Sequence, residues 1–198
     1  MPNLKLLFSC SLLLVGTTAF SQFSAMTYNI RYDNRDDGDN WWGYRKEELA
    51  DLLQYYRADF IGLQEALPQQ TEFIDEQLPD YSYIGFGRDG EGTNSEGAPI
   101  FYQPARHKLL AQQVIWLSPT PTKVSRGWDA ALNRICVYGV FETIGQADTI
   151  HVFNCHFDHR GAQARQESAR LLTQLLTQYD LQDQQVVLMG DLNAEPDD

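Results

Sequence analysis

Alternating apolar and polar side chains mark the first predicted strand. Residues 24–31 have the sequence SAMTYNIR, in which apolar side chains recur at every second position from Met26 to Ile30. A period of two is typical of a strand. The polar face of this strand carries Asn29 and Arg31 side by side, where the strand ends.

Two further apolar runs are followed by acidic residues. DFIGLQ at 59–64 predicts a short strand and precedes Glu65, and QVVLMG at 185–190 precedes Asp191. The second run is continuously apolar, which predicts a strand buried on both faces. Five more strand-like runs occupy the middle of the chain: YSYIGF at 81–86, PIFYQ at 99–103, LLAQQVIWLS at 109–118, RICVYGVFE at 134–142 and TIHVFNCHF at 149–157.

Three segments predict helices. A helix over about 44–57 follows a polar loop at 33–43, a second runs from Pro68 to about Leu78, and a third follows Gly161 and ends near Tyr179. Proline suits the first turn of a helix because the N–H that it lacks would be unpaired there. Helices therefore fall between runs of strands rather than after every strand. This order predicts an α+β fold, with sheets packed together and helices outside.

The first 21 residues have the pattern of a secretory signal peptide. Lys5 precedes a short apolar run at 6–15, and the triplet AFS at 19–21 supplies a small-x-small cleavage site. The run is too short for a comfortable membrane span. A membrane anchor is the alternative, and Cys10 faintly suggests a lipoprotein signal. We expect an exported protein, secreted or periplasmic, whose mature part begins at Gln22 and forms one domain.

Composition limits the partners of this domain. The formal net charge is −12, with 27 acidic and 15 basic residues. Such a balance disfavours binding of nucleic acid through a broad basic surface, although bound cations can neutralise a carboxylate-lined nuclease site. The mature sequence keeps Cys136 and Cys155, both in strand-like runs. Buried free thiols are the simpler interpretation, and a disulfide between them is the alternative.

Polar side chains at strand ends define the candidate chemistry. The residues concerned are Asn29, Glu65, His156, Asp191 and Asn193. Each one alone is more simply explained as a hydrogen-bonded or solvated residue. Together they offer oxygen ligands for Mg²⁺, a histidine able to exchange a proton, and an Asp-x-Asn pair able to orient water. Arg31 or Arg134 would stabilise negative charge at phosphorus, so the set fits metal-assisted hydrolysis of a phosphate ester.

Four segments, in this order along the chain, resemble the endonuclease/exonuclease/phosphatase superfamily. They are MTYNIRYDN, DFIGLQEAL, NCHFDHRG and VVLMGDLNAEPDD. GWDAALNRICVYGVFE, with the strand and helix after it, resembles a secreted bacterial branch of that superfamily. The resemblance covers residues 22–198 and implies a deoxyribonuclease-like fold. That fold is a four-layered α/β/β/α sandwich of two mostly antiparallel sheets with outer helices.

The resemblance also implies roles for individual residues. By this comparison the metal ligands are Asn29 and Glu65, the catalytic residues are His156, Asp191 and Asn193, and the substrate contacts are Arg31, Arg134 and His159. Asp158 and Arg160 would help to shape the rim of the site. The implied cofactor is Mg²⁺ or Mn²⁺, which suits carboxylate and amide oxygens.

One feature of the superfamily has no counterpart in this sequence. The superfamily completes its site with an Asp-His pair on a final segment, whereas this sequence ends shortly after Asn193. We therefore expect a C-terminally incomplete domain that lacks its last strands, binds metal weakly and turns over little substrate. The full-length form would be a monomer.

The expected function is that of a secreted, divalent-metal-dependent phosphoesterase that hydrolyses a phosphate mono- or diester by attack of water. The acidic composition favours a sugar phosphate or a lipid headgroup over long DNA as substrate. A non-specific deoxyribonuclease is the alternative enzyme, and nucleic acid is a possible but less favoured partner. An alternative of another class is a non-catalytic binding module that keeps the fold.

Overall fold

The computed structural model describes residues 22–146 and 148–195, so the predicted signal peptide lies outside the described residues. The strands are β1 (Ala25–Asn29), β2 (Phe60–Gln64), β3 (Ser82–Ile84), β4 (Ile100–Tyr102), β5 (His107–Trp116), β6 (Ile135–Thr143), β7 (Thr149–His156) and β8 (Gln185–Asp191). The helices are α1 (Trp42–Tyr56), α2 (Pro68–Gln77) and α3 (Ala162–Gln178), and a 3-10 segment spans Arg35–Asn40. Every strand and helix predicted from the sequence is present.

The strands form two four-stranded sheets. Sheet 1 has the order β1-β2-β4-β3 and sheet 2 the order β5-β6-β7-β8. The pairs β1/β2 and β7/β8 are parallel, and the pairs β2/β4, β3/β4, β5/β6 and β6/β7 are antiparallel. Each sheet therefore contains one parallel pair, whose strands end at the same edge of that sheet.

Three apolar clusters hold four layers together. In the first, Leu53 of α1 and Ile74 of α2 pack on Ile61 of β2, on the outer face of sheet 1. The second lies between the sheets and contains Phe60 and Phe141, whose rings are 4.9 Å apart. The third packs α3 on the outer face of sheet 2, through residues that include Cys136, Phe153, Leu172 and Leu175. The α/β/β/α sandwich is thus confirmed.

Helix α1 begins earlier than the polar sequence before it suggests. The predicted loop at 33–43 contains the 3-10 segment, and α1 starts at Trp42 rather than at about residue 44. Two contacts explain the difference. The side chain of Asn34 accepts a hydrogen bond from the N–H of Asp36 at the start of the 3-10 segment. Trp42 is buried and packs edge-on against Phe73 of α2, at a centroid distance of 5.8 Å.

Strand β8 is not buried on both faces, so that prediction is wrong. Its side chains alternate: Val187 and Met189 pack between the sheets, whereas Val186 packs toward α3. Leu188 remains 48% exposed. The physical reason is its place at the edge of sheet 2, where α3 covers only part of the outer face. The continuous apolar run therefore predicted more burial than the side chains of β8 have.

The two cysteines are free thiols that face each other across sheet 2. Cys136 and Cys155 are directly opposite in the β6/β7 register, and the thiol of Cys155 donates to Sγ of Cys136 over 3.0 Å. Both are fully buried, and burial raises the pKa of Cys136 well above its ordinary value. This agrees with the simpler of the two interpretations of the sequence.

None of the helices in residues 22–146 and 148–195 has both the length and the apolar character needed to cross a bilayer.

Candidate active site

The candidate site lies where the two parallel strand pairs end. In sheet 1, Asn29 is the register partner of Gln64, the residue before Glu65. In sheet 2, His156 is the register partner of Asp191. Because the sheets pack face to face, the ends of these four strands meet at one end of the sandwich.

Asn29 joins the carboxylates of the two sheets. Its Nδ2 donates to Glu65 Oε1 over 3.0 Å and to Asp191 Oδ2 over 2.8 Å. Its Oδ1 accepts from the backbone N–H of Arg31 over 3.0 Å. One amide thus holds both carboxylates near the same point, although one belongs to sheet 1 and the other to sheet 2.

Backbone turns just past the strand ends fix these side chains. Arg31, Glu65 and Asn193 have positive φ values of 58°, 62° and 47°. Such left-handed conformations are unfavourable for residues other than glycine, and they cluster at functional sites. The same local hydrogen bond supports two of these turns: the N–H of Arg31 donates to Asn29, and the N–H of Asn193 donates to Asp191 Oδ1 over 2.9 Å. Asn and Asp favour this side-chain-to-backbone contact.

Asp191 is held as a carboxylate. Burial raises its pKa, but hydrogen bonds from the Asn29 amide and the Asn193 N–H outweigh that effect, so the pKa lies below its ordinary value. The positive charge of Arg134 acts in the same direction. Asp191 therefore offers an anionic oxygen to a cation or to water at neutral pH.

Beside these carboxylates, a buried arginine contacts two histidines. Arg134 is 4% exposed, and its Nη1 lies 3.2 Å from Nε2 and 3.3 Å from Nδ1 of His156. Its Nη2 donates to Nδ1 of His159 over 2.7 Å. Burial and the charge of Arg134 lower the pKa of His156 to about 4, against the opposing effects of Asp191 and Glu65. The imidazole of His156 is therefore neutral at pH 7 and can accept a hydrogen bond.

Asp158 holds Arg134 in place. Its Oδ2 accepts from Arg134 Nε and from the N–H of Ala131, both over 3.1 Å, while its Oδ1 accepts from the N–H groups of Arg160 and Gly161. Burial raises the pKa of Asp158, but these backbone and side-chain donors together hold it well below its ordinary value. The sequence placed Asp158 at the rim, whereas it is 1% exposed and anchors the arginine.

The predicted site residues form two adjoining clusters, and the side chains of Arg31 and Arg160 lie outside both. Asn29, Glu65, Asp191 and Asn193 lie together at the strand ends, and Arg134, His156 and His159 form the adjoining cluster. Arg31 is next to Asn29 in the chain, but its guanidinium pairs with Asp37 through contacts of 2.5 and 2.7 Å. Arg160 is exposed, and its N–H donates to Asp158. The side-chain amide of Asn193 donates to the Phe157 carbonyl over 3.0 Å.

The strand ends open into a groove of about 460 Å³ bordered by Asn29, Asp191 and Asn193. A second, much smaller cavity lies against Arg134 and His156 and is also bordered by Gly97. The groove is large enough for a small ligand, so Asp191 can be reached from solvent.

The oxygen atoms at the strand ends suit a hard divalent cation. Glu65 and Asp191 each direct an oxygen toward the same Asn29 nitrogen. Among the described residues, no group of three or more Asp, Glu, His or Cys side chains forms a metal cage. Mg²⁺ needs only one or two carboxylates together with water and substrate oxygens, so the residues present fit it. Asn29 contributes N–H donors here, and its role as a ligand stays a prediction.

Two buried amides support the site from below, and the sequence did not single them out. Gln64 Nε2 donates to Asn154 Oδ1 over 2.6 Å, and Asn154 Nδ2 donates to the carbonyls of Leu63, Ala98 and Pro99. The pair links β2 to β7 across the core. A β-carbon at Gly62 would lie 2.6 Å from Asn154 Oδ1, so glycine leaves room for this link. The sequence feature that could have identified this pair is the presence of a polar residue within an otherwise apolar strand.

Comparison with known proteins identifies the fold and the family. Residues 26–198 match the Endonuclease/Exonuclease/phosphatase family. The chain belongs to that family. A mannosyl-6-phosphatase from Bacteroides thetaiotaomicron has a similar structure, with 34% identity, a TM-score of 0.84, and coverage of 89% of this chain and 67% of that one. A family member from Bacteroides vulgatus gives 35% identity, a TM-score of 0.83, and coverage of 87% and 66%.

A curated relative comes from a virus. An uncharacterised protein of Acanthamoeba polyphaga mimivirus is 30% identical over 162 residues, which cover 78% of this chain. The chain spans 60% of the length of that relative. The 2′,3′-cyclic phosphatase ANGEL2, at 19% identity and a TM-score of 0.70, shares the fold alone.

Proposed function

We propose that this protein is a divalent-metal-dependent phosphoesterase that hydrolyses a phosphate ester by attack of water at phosphorus. The observation that carries the proposal is the contact of Asn29 with both Glu65 and Asp191, beside the buried Arg134–His156 pair. This arrangement sets the anionic oxygens at the strand ends, where Asp191 borders the open groove, next to the buried Arg134–His156 pair. Membership of a family that contains a mannosyl-6-phosphatase supports it.

The reaction transfers a phosphoryl group to water. A water oxygen forms a bond to phosphorus, the bond from phosphorus to the ester oxygen breaks, and the released alcohol takes a proton. Glu65 and Asp191 would hold the cation, which supplies positive charge to stabilise the transition state. Asp191 is also placed to accept a hydrogen bond from the attacking water.

Arg134 and His156 would act on the phosphoryl oxygens. Asp158 fixes the guanidinium of Arg134, so its charge is in place before substrate binds. A preorganised cation of this kind stabilises negative charge that develops in the transition state. His156, neutral at pH 7, can donate or accept a hydrogen bond without first losing a proton.

A small phosphate ester is the substrate class that we propose. The net charge of −12 disfavours an extended polyanion such as DNA. The relative that is 34% identical is a mannosyl-6-phosphatase, which supports a sugar phosphate in particular. We further propose that the protein is exported, on the basis of the leader-like sequence at 1–21.

The test is phosphate release from a panel of esters, with and without EDTA. For the full-length enzyme we expect activity that chelation abolishes and that Mg²⁺ or Mn²⁺ restores. Glu65→Gln keeps the side-chain shape but removes its charge, and should lower turnover and weaken metal binding. The matched control is Glu48→Gln, at an exposed position on α1. Activity that survives EDTA, or a fully active Glu65→Gln variant, would falsify the metal assignment. Preferential cleavage of plasmid DNA would favour a deoxyribonuclease instead.

A further inference from the structure

A second concave site lies next to Glu65, outside the groove at the strand ends. It is a cleft of about 380 Å³ between the start of α2 and the segment that joins β3 to β4. We name that segment, residues 85–99, the cleft loop. The volume is within the range of sites that bind small molecules. Nothing in the chemistry described so far uses this cleft.

The cleft is joined to the candidate site through two residues. Ala66 lines it and directly follows Glu65, and Gly97 lines both this cleft and the small cavity against Arg134 and His156. The N–H of Gly97 donates to the carbonyl of Ala66 over 2.7 Å. The cleft and the small cavity therefore share Gly97 as a boundary, and the cleft begins one residue from Glu65.

The cleft loop is held rigidly, so the cleft is formed before any ligand binds. Arg88 and Glu96 pair through two contacts of 2.7 and 2.8 Å. Trp116 Nε1 donates to the Arg88 carbonyl over 2.8 Å, and the N–H of Asp89 donates to Ser95 Oγ over 3.0 Å. A preformed site loses little conformational entropy on binding.

The lining of the cleft indicates the class of ligand. Among the described residues that line it there is no Lys, Arg or His, and Glu72 is its one charged side chain. Phosphate is therefore not expected to bind there. Phe86 and Tyr83 offer aromatic surface, while Asn94 and Thr93 offer polar groups. Aromatic rings contact the apolar face of a ring ligand, and the polar groups can pair with its hydroxyls.

From this geometry we infer that the cleft binds a neutral, hydroxylated ring: the alcohol half of the phosphate ester. The identification of this ring as the alcohol half of the substrate rests on the proposed function. The phosphoryl group lies at Glu65, Arg134 and His156, and the ring extends past Ala66 into the cleft. The cleft thus selects the substrate by its alcohol, while the strand-end site performs the hydrolysis.

The kinetic test compares a hexose 6-phosphate with methyl phosphate, which has no ring to fill the cleft. Asn94→Trp places a large side chain into the cleft from an exposed loop position. It should raise KM for the hexose phosphate by about tenfold or more, as expected for loss of a specificity pocket. Hydrolysis of methyl phosphate should be unchanged. The matched control, Gln69→Trp, lies at an exposed position on α2 outside the cleft lining. Equal effects on the two esters, or no effect on either, would overturn the inference.

A binding test separates this inference from the proposed function. Methyl α-mannoside and myo-inositol, each titrated at millimolar concentrations into the ¹⁵N-labelled protein, carry no phosphate. Shifts of the amides of residues 92–97 with either compound, lost in Asn94→Trp, support the cleft even if no ester is hydrolysed. Response to the first alone identifies a sugar, and response to the second alone a cyclitol headgroup. Absence of shifts with both overturns the inference, whatever the outcome of the EDTA assay.

Discussion

The amide nitrogen of Asn29 donates to Asp191 Oδ2 over 2.8 Å, although the two residues are 162 positions apart. Asn29 ends β1 in sheet 1, and Asp191 ends β8 in sheet 2. The same nitrogen donates to Glu65. The candidate site therefore forms only when the two sheets pack in the correct relative position. Any substitution that shifts one sheet relative to the other should change the geometry of the site.

Asn29→Ala should lower both metal affinity and turnover. The substitution removes the donor that holds Glu65 and Asp191 together, so the two carboxylates repel each other and separate. Loss of a group that orients ligands typically costs about 10–100-fold in metal affinity or activity. The measurement is activity against Mg²⁺ concentration. The control is Asn40→Ala, at an exposed position in the 3-10 segment. An unchanged Mg²⁺ dependence would show that Asn29 does not organise the carboxylates.

His156→Ala should reduce kcat by roughly 10²–10⁴-fold if the imidazole exchanges or stabilises a proton in the transition state. The histidine contacts Nη1 of Arg134, so its removal also takes away that contact, while Asp158 and His159 still hold the guanidinium. His151→Ala is the matched control, because His151 lies on the same strand but bonds to Tyr138 on the α3 side. Urea unfolding of both variants separates misfolding from loss of chemistry. A kcat close to that of the control would remove His156 from the mechanism.

Local patterns were sufficient for most elements and for the strand-end residues. Period-two alternation located β1, and apolar runs followed by Glu65 and Asp191 located β2 and β8. The meeting of Asn29, Glu65 and Asp191 was predicted because each of them ends or follows an apolar strand, and one cation can contact all three only if they lie close together.

Partners that depend on loop conformation could not be anticipated in the same way. The contact of Arg31 with phosphate stays a prediction, but the sequence did not indicate that the 3-10 segment brings Asp37 to its guanidinium. Asp158 follows a strand and resembles any solvated loop residue, yet the turn into α3 buries it against Arg134. Both outcomes depend on loop conformations, which side-chain periodicity does not encode. The exposure of Leu188 likewise follows from the position of β8 at the edge of sheet 2.

Asp158→Asn should destabilise the protein at neutral pH, and by progressively less as pH falls below about 4. The folded-state pKa of Asp158 is depressed, so its contribution is present above the unfolded pKa of about 3.9 and is lost as pH falls toward the folded value. Removing one partner of a buried ion pair costs about 3–5 kcal/mol. The measurement is urea unfolding in EDTA near pH 7 and near pH 3, with the exposed Asp183→Asn as control. An equal loss at the two pH values would mean that packing, rather than charge, accounts for the effect.

Gly190→Ala should disturb the site through the backbone of β8. Gly190 has a φ of 142°, and a β-carbon there would press on the carbonyl oxygen of Cys155 and lie 2.7 Å from its nitrogen. Neither group can move without breaking the β7/β8 ladder that carries His156 and Asp191.

Gly145→Ala is the matched control for this change. Gly145 also has a positive φ, of 81°, but an added β-carbon meets no atom within 4 Å. It therefore reports only the cost of placing an L residue in a left-handed conformation, about 1–2 kcal/mol. Gly190→Ala should cost more, by a further 1–3 kcal/mol or so from overpacking, and should also lower metal-dependent activity. The measurement is urea unfolding of both variants together with phosphate release. Equal stabilities for the two variants would mean that β7 and β8 can separate at this point without loss, and that Asp191 is not positioned by the ladder.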